Sequence, residues 1–485
     1  MHLLGIDLGT SSIKVVLMDE RQTILGSSSQ ALEVMRPHEG WSEQNPADWL
    51  NAVDQALQAL QHSYPQPMAD VQGLALSGHM HGATLIDAQN QVLRPCILWN
   101  DTRSYQEAAE LDANPLFRKL SGNIVFPGFT APKLVWVQKH EPAIFAKVHK
   151  VLLPKDYVRW WLTGEYASDM SDAAGTAWLD VAKRAWSPEL LAASGMRIEQ
   201  MPQAIEGTAI SGQLRKDLAE RWGIKQVAIV AGGAGDNAAA ACGMGTVAAG
   251  SAFVSLGTSG VLFAATASYL PNPESAVHTF CHAIPNTWHQ MGVILSATDS
   301  LNWYAQIAGK SPAELTQALG SSLKAPSKVC FLPYLSGERT PHNDAKVRGA
   351  FIGLSHADQQ QNLTQAVLEG VGFAIRDNLG ALKAAGTSLE RVTAVGGGSR
   401  SQYWLKVLAT TLNLPIDLPA EGDFGAAFGA ARLALIAATQ AEPLSVLTAP
   451  VVAQTIEPDF QLTQAFSEAY ARYQHLYPAI KGASL

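Results

Sequence analysis

Two apolar runs of strand character, Leu3 to Ile6 and Ile13 to Met18, flank the small polar turn Leu8-Gly9-Thr10-Ser11. Half a chain later Ala252 to Val254 and Val261 to Phe263 flank Leu256-Gly257-Thr258-Ser259 in the same way. Short apolar runs bounded by Gly and hydroxyl residues predict β-hairpins. A shared phrase in matched context argues that the two hairpins are copies. After the first, Asn45-Pro46 has the cap and first-turn chemistry of a helix, and Trp49, Val53, Ala56, Leu57 and Leu60 recur at helical spacing. Strands are predicted at Val71 to Leu76, Ala83 to Ile86 and Pro95 to Trp99. The second half predicts strands near His278 to Ile284 and Trp288 to Val293 and a helix near Ala297 to Ile307. A long helix follows from about Asn362 to Leu382, then a strand at Val392 to Val395 and a helix from Ser401 to Leu412. Phe466, Tyr470, Tyr473 and Tyr477 mark a last amphipathic helix, expected to pack back across the domains. Both halves therefore read as α/β. The glycine-rich stretch Gly243 to Gly250 falls between the two patterns, which predicts domains at 1–245 and 246–485 with a hinge there.

Composition narrows the partners. The chain of 485 residues is 47% hydrophobic and 16% charged, enough to bury substantial cores. Its formal net charge of −8, without basic runs, argues against nucleic acid or an anionic membrane as partner. An anionic ligand must therefore be met locally. Cys96, Cys242, Cys281 and Cys330 are far apart and form no CxxC pair, so neither a disulfide framework nor a zinc ribbon is expected. The start of the chain carries no basic segment with an apolar core, and the Ala/Gly-rich stretch Val227 to Val254 is broken by Asp236 and Asn237. A soluble cytoplasmic protein is the expectation.

The chemistry sits at the turns. Glycine at a hairpin tip admits a ligand close to the backbone, and Thr or Ser hydroxyls with free N–H groups suit phosphate oxygens. Facing duplicated hairpins imply a phosphate chain held between two domains. Asp7 precedes the first phrase where Ser255 precedes the second, so only one hairpin carries a carboxylate. Beside phosphates that carboxylate points to Mg²⁺, although an Asx turn would use the same residue. Gly232-Gly233-Ala234-Gly235-Asp236-Asn237 leads into Ala238 to Ala241, which sets Asp236 at a helix start where the dipole favours its ionised form. An ionised Asp beside an alcohol can accept its proton during phosphoryl transfer; the plainer alternative is an N-cap. Gly396-Gly397-Gly398-Ser399-Arg400-Ser401 joins a strand to a helix and suits a nucleotide's α-phosphate and ribose, but it has neither Rossmann nor P-loop spacing. His79-Met80-His81-Gly82 and Trp99-Asn100-Asp101 follow strands and offer the mixed polar groups that a neutral polyhydroxy ligand needs. His278 and His282 read as strand residues, and Glu338-Arg339 as a surface turn or a clamp at the cleft.

Taken together, Asp7-Leu8-Gly9-Thr10-Ser11, Gly235-Asp236-Asn237 and the Gly396 to Ser401 loop resemble the phosphate, catalytic and adenosine motifs of the FGGY carbohydrate kinases. Two longer stretches resemble that family's signatures: Gly128 to His140, with Thr130, Lys133 and Trp136, and Gly349 to Glu369, with Phe351, Gly353, Leu354, Asn362 and Ala366. The resemblance covers nearly the whole chain. It implies two duplicated actin-like (ribonuclease H-like) ATPase domains around a central cleft, with ATP and Mg²⁺ as cosubstrate and metal. His79-Met80-His81-Gly82, Leu98-Trp99-Asn100-Asp101, Leu153-Pro154-Lys155-Asp156-Tyr157 and Gly337 to His342 are most similar to the family's bacterial D-xylulose-phosphorylating branch. That implies D-xylulose 5-phosphate as product, with Asp236 as general base, Met80 and His81 on the sugar, and Asn100, Asp101 and Asn237 as further sugar contacts. It also implies Asp7 near the metal, Thr10, Ser11, Gly257 and Thr258 on the phosphates, and Gly397, Gly398 and Ser401 at the adenosine. Ala234 departs from the compact Gly-Gly-Gly-Asp-Asn form by lengthening the catalytic loop. A homodimer is a family expectation alone. The alternatives are a kinase for ribulose, gluconate or a deoxyketose, and a sugar-sensing or chaperone-like ATPase using the same clamp.

Overall fold

The computed structural model describes residues 1–420, 422 and 424–482. Its framework is two seven-stranded mixed sheets that correspond almost strand for strand. In the first, His2–Leu8 forms an antiparallel hairpin with Ser12–Asp19, and Ile24–Ala31 extends it. On the other side Val71–Gly78 lies parallel to His2–Leu8, followed by Ile229–Ala231 in parallel and Ile210–Gln213 antiparallel. In the second sheet the hairpin is Ala252–Leu256 with Gly260–Thr266, extended by Trp288–Ile294, with Val392–Val395 and Ile416–Pro419 parallel and Val452–Ile456 antiparallel at the edge. His278–Cys281 adds an outer strand. The duplication inferred from one repeated phrase thus extends to whole sheets. Ile13, Val15 and Leu17 are fully buried, as are Leu4, Ile6 and Leu8 opposite them, so each hairpin is a core element and its polar turn projects at the sheet's end.

Helix boundaries follow local capping chemistry. The Asn45 side chain accepts a hydrogen bond from Ala47 N–H and opens the helix Pro46–Ser63, which buries Trp49, Val53, Ala56, Leu57 and Leu60 as its spacing predicts. The long helix runs Gln360–Ala384, and Ser401 caps the helix Gln402–Leu412 by accepting from Trp404 N–H. The last helix, Thr463–Lys481, does not cross between the lobes. Its Phe466, Ala469 and Tyr473 join the core of the second lobe, because the stripe they form matches the surface of the 402–412 and 360–384 helices. Among the described residues no helix is long and apolar enough to cross a membrane.

One helix went unread in the sequence. Ala426–Thr439 is buried almost all round, from Ala427 to Ala437, so it has no polar face and no amphipathic period to detect. It lies in the 246–485 half by sequence, yet it packs against the first sheet and against the helix Asp236–Met244. Contact is backbone to backbone. A Cβ on Gly5 would collide with the Ala427 carbonyl, and one on Gly429 with the Ala239 carbonyl. Arg432, itself buried, donates to the carbonyls of Cys242 (2.9 Å) and Gly243 (3.2 Å) and so closes the C-terminal end of the 236–244 helix. Phe428, Leu433 and Ile436 go into the same layer, each worth about 1.5–3 kcal/mol of burial. Gly243, read as hinge material, has a packing role: a side chain there would strike the Phe424 carbonyl.

Gly429→Ala should therefore lower unfolding free energy by about 1–3 kcal/mol, since neither backbone can give way. Gly380→Ala, on the open face of the 360–384 helix with nothing near its Cβ position, should leave stability unchanged or raise it by up to about 1 kcal/mol. Urea unfolding of both variants compares them directly.

Candidate active site

Three neighbouring strand ends bring the first group of residues together. Asp7 is opposite Ser77 in the parallel register, and Ser77 is opposite Ala234, so Asp7, the 78–81 segment and the Gly235-Asp236 junction share one edge of the first sheet. Gly233 reaches this edge with φ 70°, a conformation that favours glycine, and its Cβ position is filled by the Leu76 backbone. Ala234 is an ordinary strand residue with its methyl group in the core, so the departure noted in the sequence is absorbed by strand pairing. The loop is held from behind. Arg159 donates to the Gly232 carbonyl, and Gly235 N–H donates to Ser171 Oγ at 3.0 Å. Both supports belong to a fully buried charge cluster in which Lys155 Nζ lies 2.6 Å from Asp156, 2.5 Å from Asp169 and 3.1 Å from Asp172. Those three carboxylates could chelate a cation by spacing, but the Lys155 ammonium sits among them.

Asp236 is the first residue of the helix that follows. Its Oδ1 accepts from Asn237 N–H (2.7 Å) and from Asn237 Nδ2 (2.9 Å). Burial, together with the charge of Asp7, pushes its carboxyl up to about 6 despite those two hydrogen bonds. The helix dipole was expected to favour the ionised form. A first-turn dipole contributes about 0.3–1 kcal/mol, and desolvation outweighs it.

A second group forms an aromatic box beside Asp236. Met80 packs against Gly235 and Gly175, where added Cβ atoms would meet its side chain at 2.9 Å in both cases. His81 has φ 70°, and its Nδ1 lies 2.6 Å from the Gly175 carbonyl. A carbonyl can only accept, so Nδ1 carries the proton and Nε2 is left as an acceptor. Burial and the Lys133 charge push the ring down to about 3, so it is neutral at physiological pH. The ring stacks on Phe129 at 4.7 Å, with Phe126, Phe280 and His278 around it. Its unusual backbone is secured by Thr130 Oγ1 (3.1 Å) and the buried Lys133 Nζ (2.8 Å), which both donate to the His81 carbonyl. Burial pushes Lys133 down to about 7.

The hairpin tips are anchored from outside and leave their polar groups facing out. Gln44 Nε2 donates to the Thr10 carbonyl at 2.7 Å, and the half-exposed Trp99 donates from Nε1 to Thr10 Oγ1 at 3.0 Å. At the second tip the Gly257 and Thr258 carbonyls accept from Thr298 and Ala297 N–H at 2.9 and 2.8 Å, while the Thr258 and Ser259 side chains are exposed. Ser255 is opposite Val395, so the Gly396 to Ser401 loop starts beside this hairpin. Gly396 has φ 90° against the Leu256 backbone, and Gly397 has open space where a side chain would be. Between the lobes lies a cavity of about 480 Å³, lined by Asn237, Phe253, Ser255, Gly396, Ser399 and residues 418–420, 422, 424 and 425. It joins the helix of Asp236 to the second sheet.

Of the expected residues, Asp7, Met80, His81, Asp236 and Asn237 thus meet on the first lobe, and Gly257, Thr258, Gly397 and Gly398 on the second. Asn100 Oδ1 is buried without a hydrogen-bond partner among the described residues, as a group awaiting a ligand would be. Asp101 is already committed: it accepts from Ser42 N–H and from the Arg103 guanidinium at 2.9 and 2.6 Å. Ser401 is a helix cap, and its neighbour Ser399 lines the cavity instead. Sequence reading passed over the aromatic box and the cavity wall of residues 418–420, 422, 424 and 425. The wall's one local signal was Gly422 and Gly425 ahead of an Ala-rich run; the box has none, since its rings come from distant segments.

Comparison with known proteins agrees with this geometry. The N-terminal domain of the FGGY family of carbohydrate kinases matches residues 2–243, and its C-terminal domain matches residues 252–438. The xylulose kinase of Escherichia coli (strain K12) is 50% identical over 480 residues, 98% of each chain, and that of Klebsiella pneumoniae is 50% identical over 436 residues, 90% of this chain and 89% of the other. Among solved structures, a "xyloylose kinase" from Brucella ovis superposes over 100% of both chains with a TM-score of 0.99 at 63% identity. The xylulose kinase from Rhodospirillum rubrum covers 99% of both chains with a TM-score of 0.93 at 28% identity. With both domain halves matched in order around a cleft that carries a carboxylate, two duplicated hairpin turns and a cavity of about 480 Å³, the chain belongs to the FGGY family of carbohydrate kinases.

Proposed function

We propose that this kinase transfers the γ-phosphoryl group of ATP to the terminal hydroxyl of D-xylulose, giving D-xylulose 5-phosphate, with Asp236 as general base. The observation that carries the reading is the buried Asp236 carboxyl, pushed up to about 6, standing between the Met80 and His81 side chains and the cavity that Asn237 lines. The xylulose kinases at 50% identity over nearly the whole chain support the choice of sugar. A neutral His81 and the unpartnered Asn100 Oδ1 suit hydroxyl groups, and a sensor without a small-molecule acceptor would need neither. Adenosine would occupy the cavity against Gly396 and Ser399, with its phosphates running between Thr10 and Thr258.

As the sugar O5 attacks the γ-phosphorus, its proton passes to Asp236, the new O–P bond forms, and the bond to the β,γ-bridging oxygen breaks to release ADP. The Asn237 hydrogen bonds hold one carboxylate oxygen, Oδ1, and so orient the other. Closing the lobes excludes water from this transfer. A divalent cation fits the donor set: Asp7 and Asp236 are two carboxylates close enough to repel each other beside a phosphate site. Asp7 would hold Mg²⁺, which when bound neutralises phosphate charge.

Asp236→Asn should reduce sugar-dependent ATP turnover by about 10²–10⁴-fold with sugar binding largely kept, measured in a coupled assay over pentuloses, hexoses and polyols. Comparable turnover by the variant would remove Asp236 from the base role, and activity on another sugar alone would replace D-xylulose. The acid limb of kcat/KM should fall as pH drops through about 6, where Asp236 gains a proton, and Asp7→Asn should move that limb to lower pH by removing the neighbouring charge. Because the folded carboxyl titrates above its unfolded value, ionised Asp236 destabilises the fold above about pH 6 and costs nothing below about pH 4. Asp236→Asn should accordingly be more stable than the parent at pH 8, by up to about 3 kcal/mol, with the gain vanishing at pH 4 in denaturant titrations.

A further inference from the structure

The Glu338-Arg339 pair belongs to a loop that the phosphoryl-transfer reading leaves unused. The loop is rigidly built. Glu338 is buried, and its Oε1 accepts from Leu295 N–H (3.0 Å) and Arg339 N–H (2.7 Å). Thr340 N–H donates to the Val293 carbonyl (3.0 Å), Thr340 Oγ1 accepts from Val293 N–H (3.0 Å), and the same hydroxyl donates to the Ala276 carbonyl (2.9 Å). Gly337 turns the chain with φ 83° where the Asp344 and Ala345 backbone leaves no room for a side chain. Such anchoring fixes where the Arg339 side chain starts.

That side chain ends in the aromatic box, where His278 and Phe280 of the second sheet meet His81 and Phe126 of the first lobe. Its guanidinium carbon lies 4.7 Å over the Phe126 ring, and its NH1 is 3.3 Å from His278 Nε2. No salt bridge among the described residues includes Arg339, although burial pushes its guanidinium down from its ordinary value. A cation that is largely desolvated and meets one neutral imidazole and a ring face has spare donors. Its neighbour His278 is itself buried, and His278 Nδ1 has no hydrogen-bond partner among the described residues. The box is continuous from Asp236 outward: Gly235 touches Met80, His81 stacks on Phe129, and Phe129 is 6.0 Å from the His278 ring that meets Arg339.

We infer that Arg339, carried by the second lobe, is a sugar-binding residue that takes the keto end of the substrate. The inference rests on the D-xylulose reading. With the terminal hydroxyl at Asp236, the far end of a five-carbon ketose faces Arg339 across the box, and that end holds the carbonyl. A keto oxygen has no proton, so only a donor can satisfy it, and guanidinium is a donor with no acceptor. The residue adds a charged donor to the second-lobe side of a box that already includes His278 and Phe280 from that lobe, so sugar favours the arrangement in which both lobes engage it.

The test uses Arg339→Met, which removes the donors, and Arg339→Lys, which keeps charge but loses the planar fork. Steady-state kinetics should show KM for D-xylulose raised about 10–100-fold in Arg339→Met and less in Arg339→Lys, with KM for ATP and sugar-independent ATP hydrolysis within twofold of the parent. The inhibition constants of pentitols, which have no carbonyl, should rise at least threefold less than KM for D-xylulose. Arg339→Lys carries the test if Arg339→Met does not fold. An unchanged sugar KM, or equal losses for sugar and ATP, overturns the inference. A parent protein that turns over ATP with no D-xylulose dependence overturns the reading beneath it instead.

Discussion

The close backbone contact of the helix Ala426–Thr439 with both the first strand and the helix Asp236–Met244 is the constraint on which the rest of the molecule depends. Gly5, Gly243 and Gly429 have no room for a Cβ, so sheet and helices approach as nearly as polypeptide can. The consequence is positional. The helix that begins with Asp236 is gripped along its length by the neighbouring helix and at its C-terminal end by Arg432, and its first turn emerges at the sheet edge that also holds Asp7. A carboxylate mounted in this way has little freedom to drift relative to Asp7 and the sheet edge.

That rigid mounting carries an energetic cost at its tip. Asp236 is desolvated and faces a like charge, which destabilises its ionised form and raises its titration to about 6. The surrounding supports work in the opposite direction. Lys155 and Arg159 neutralise most of a buried acidic cluster and hold the Gly232-to-Gly235 loop, while Lys133 and Thr130 fix the strained backbone of His81. The two sides of the cleft are thus built differently: the first lobe presents Asp236, His81 and Lys133 with tuned protonation, and the second presents backbone turns, an open glycine loop and the Arg339–His278 pair.

Local patterns were legible where one element alone decides them. The hairpins, the capped helix at Pro46, the 360–384 helix and the Ser401 cap all follow from short-range spacing and capping chemistry. The two groups of motif residues at the sheet edges were legible too, because strand ends in an α/β sheet gather at one side. Three readings needed the fold. Asp101 has the residue type of a sugar contact, but its carboxylate is taken by Arg103 and Ser42, partners that no spacing rule predicts for a loop Asp. Helix 426–439 has no amphipathic stripe, so its burial on every side is visible only once sheet and helix close over it. The last helix has such a stripe, but periodicity does not say which surface it covers.

The sequence by itself determined the duplication, the two Leu-Gly-Thr-Ser turns, the singular carboxylates Asp7 and Asp236, and through its motifs the FGGY family. These are properties of short segments whose chemistry is the same in any context that exposes them. Tertiary structure alone decided the protonation of Asp236, the neutrality and tautomer of His81, and the meeting of Phe126, Phe129, His278 and Arg339 from three separate segments of the chain. Desolvation and side-chain encounter depend on everything packed around a group, and packing is not a local property of the chain.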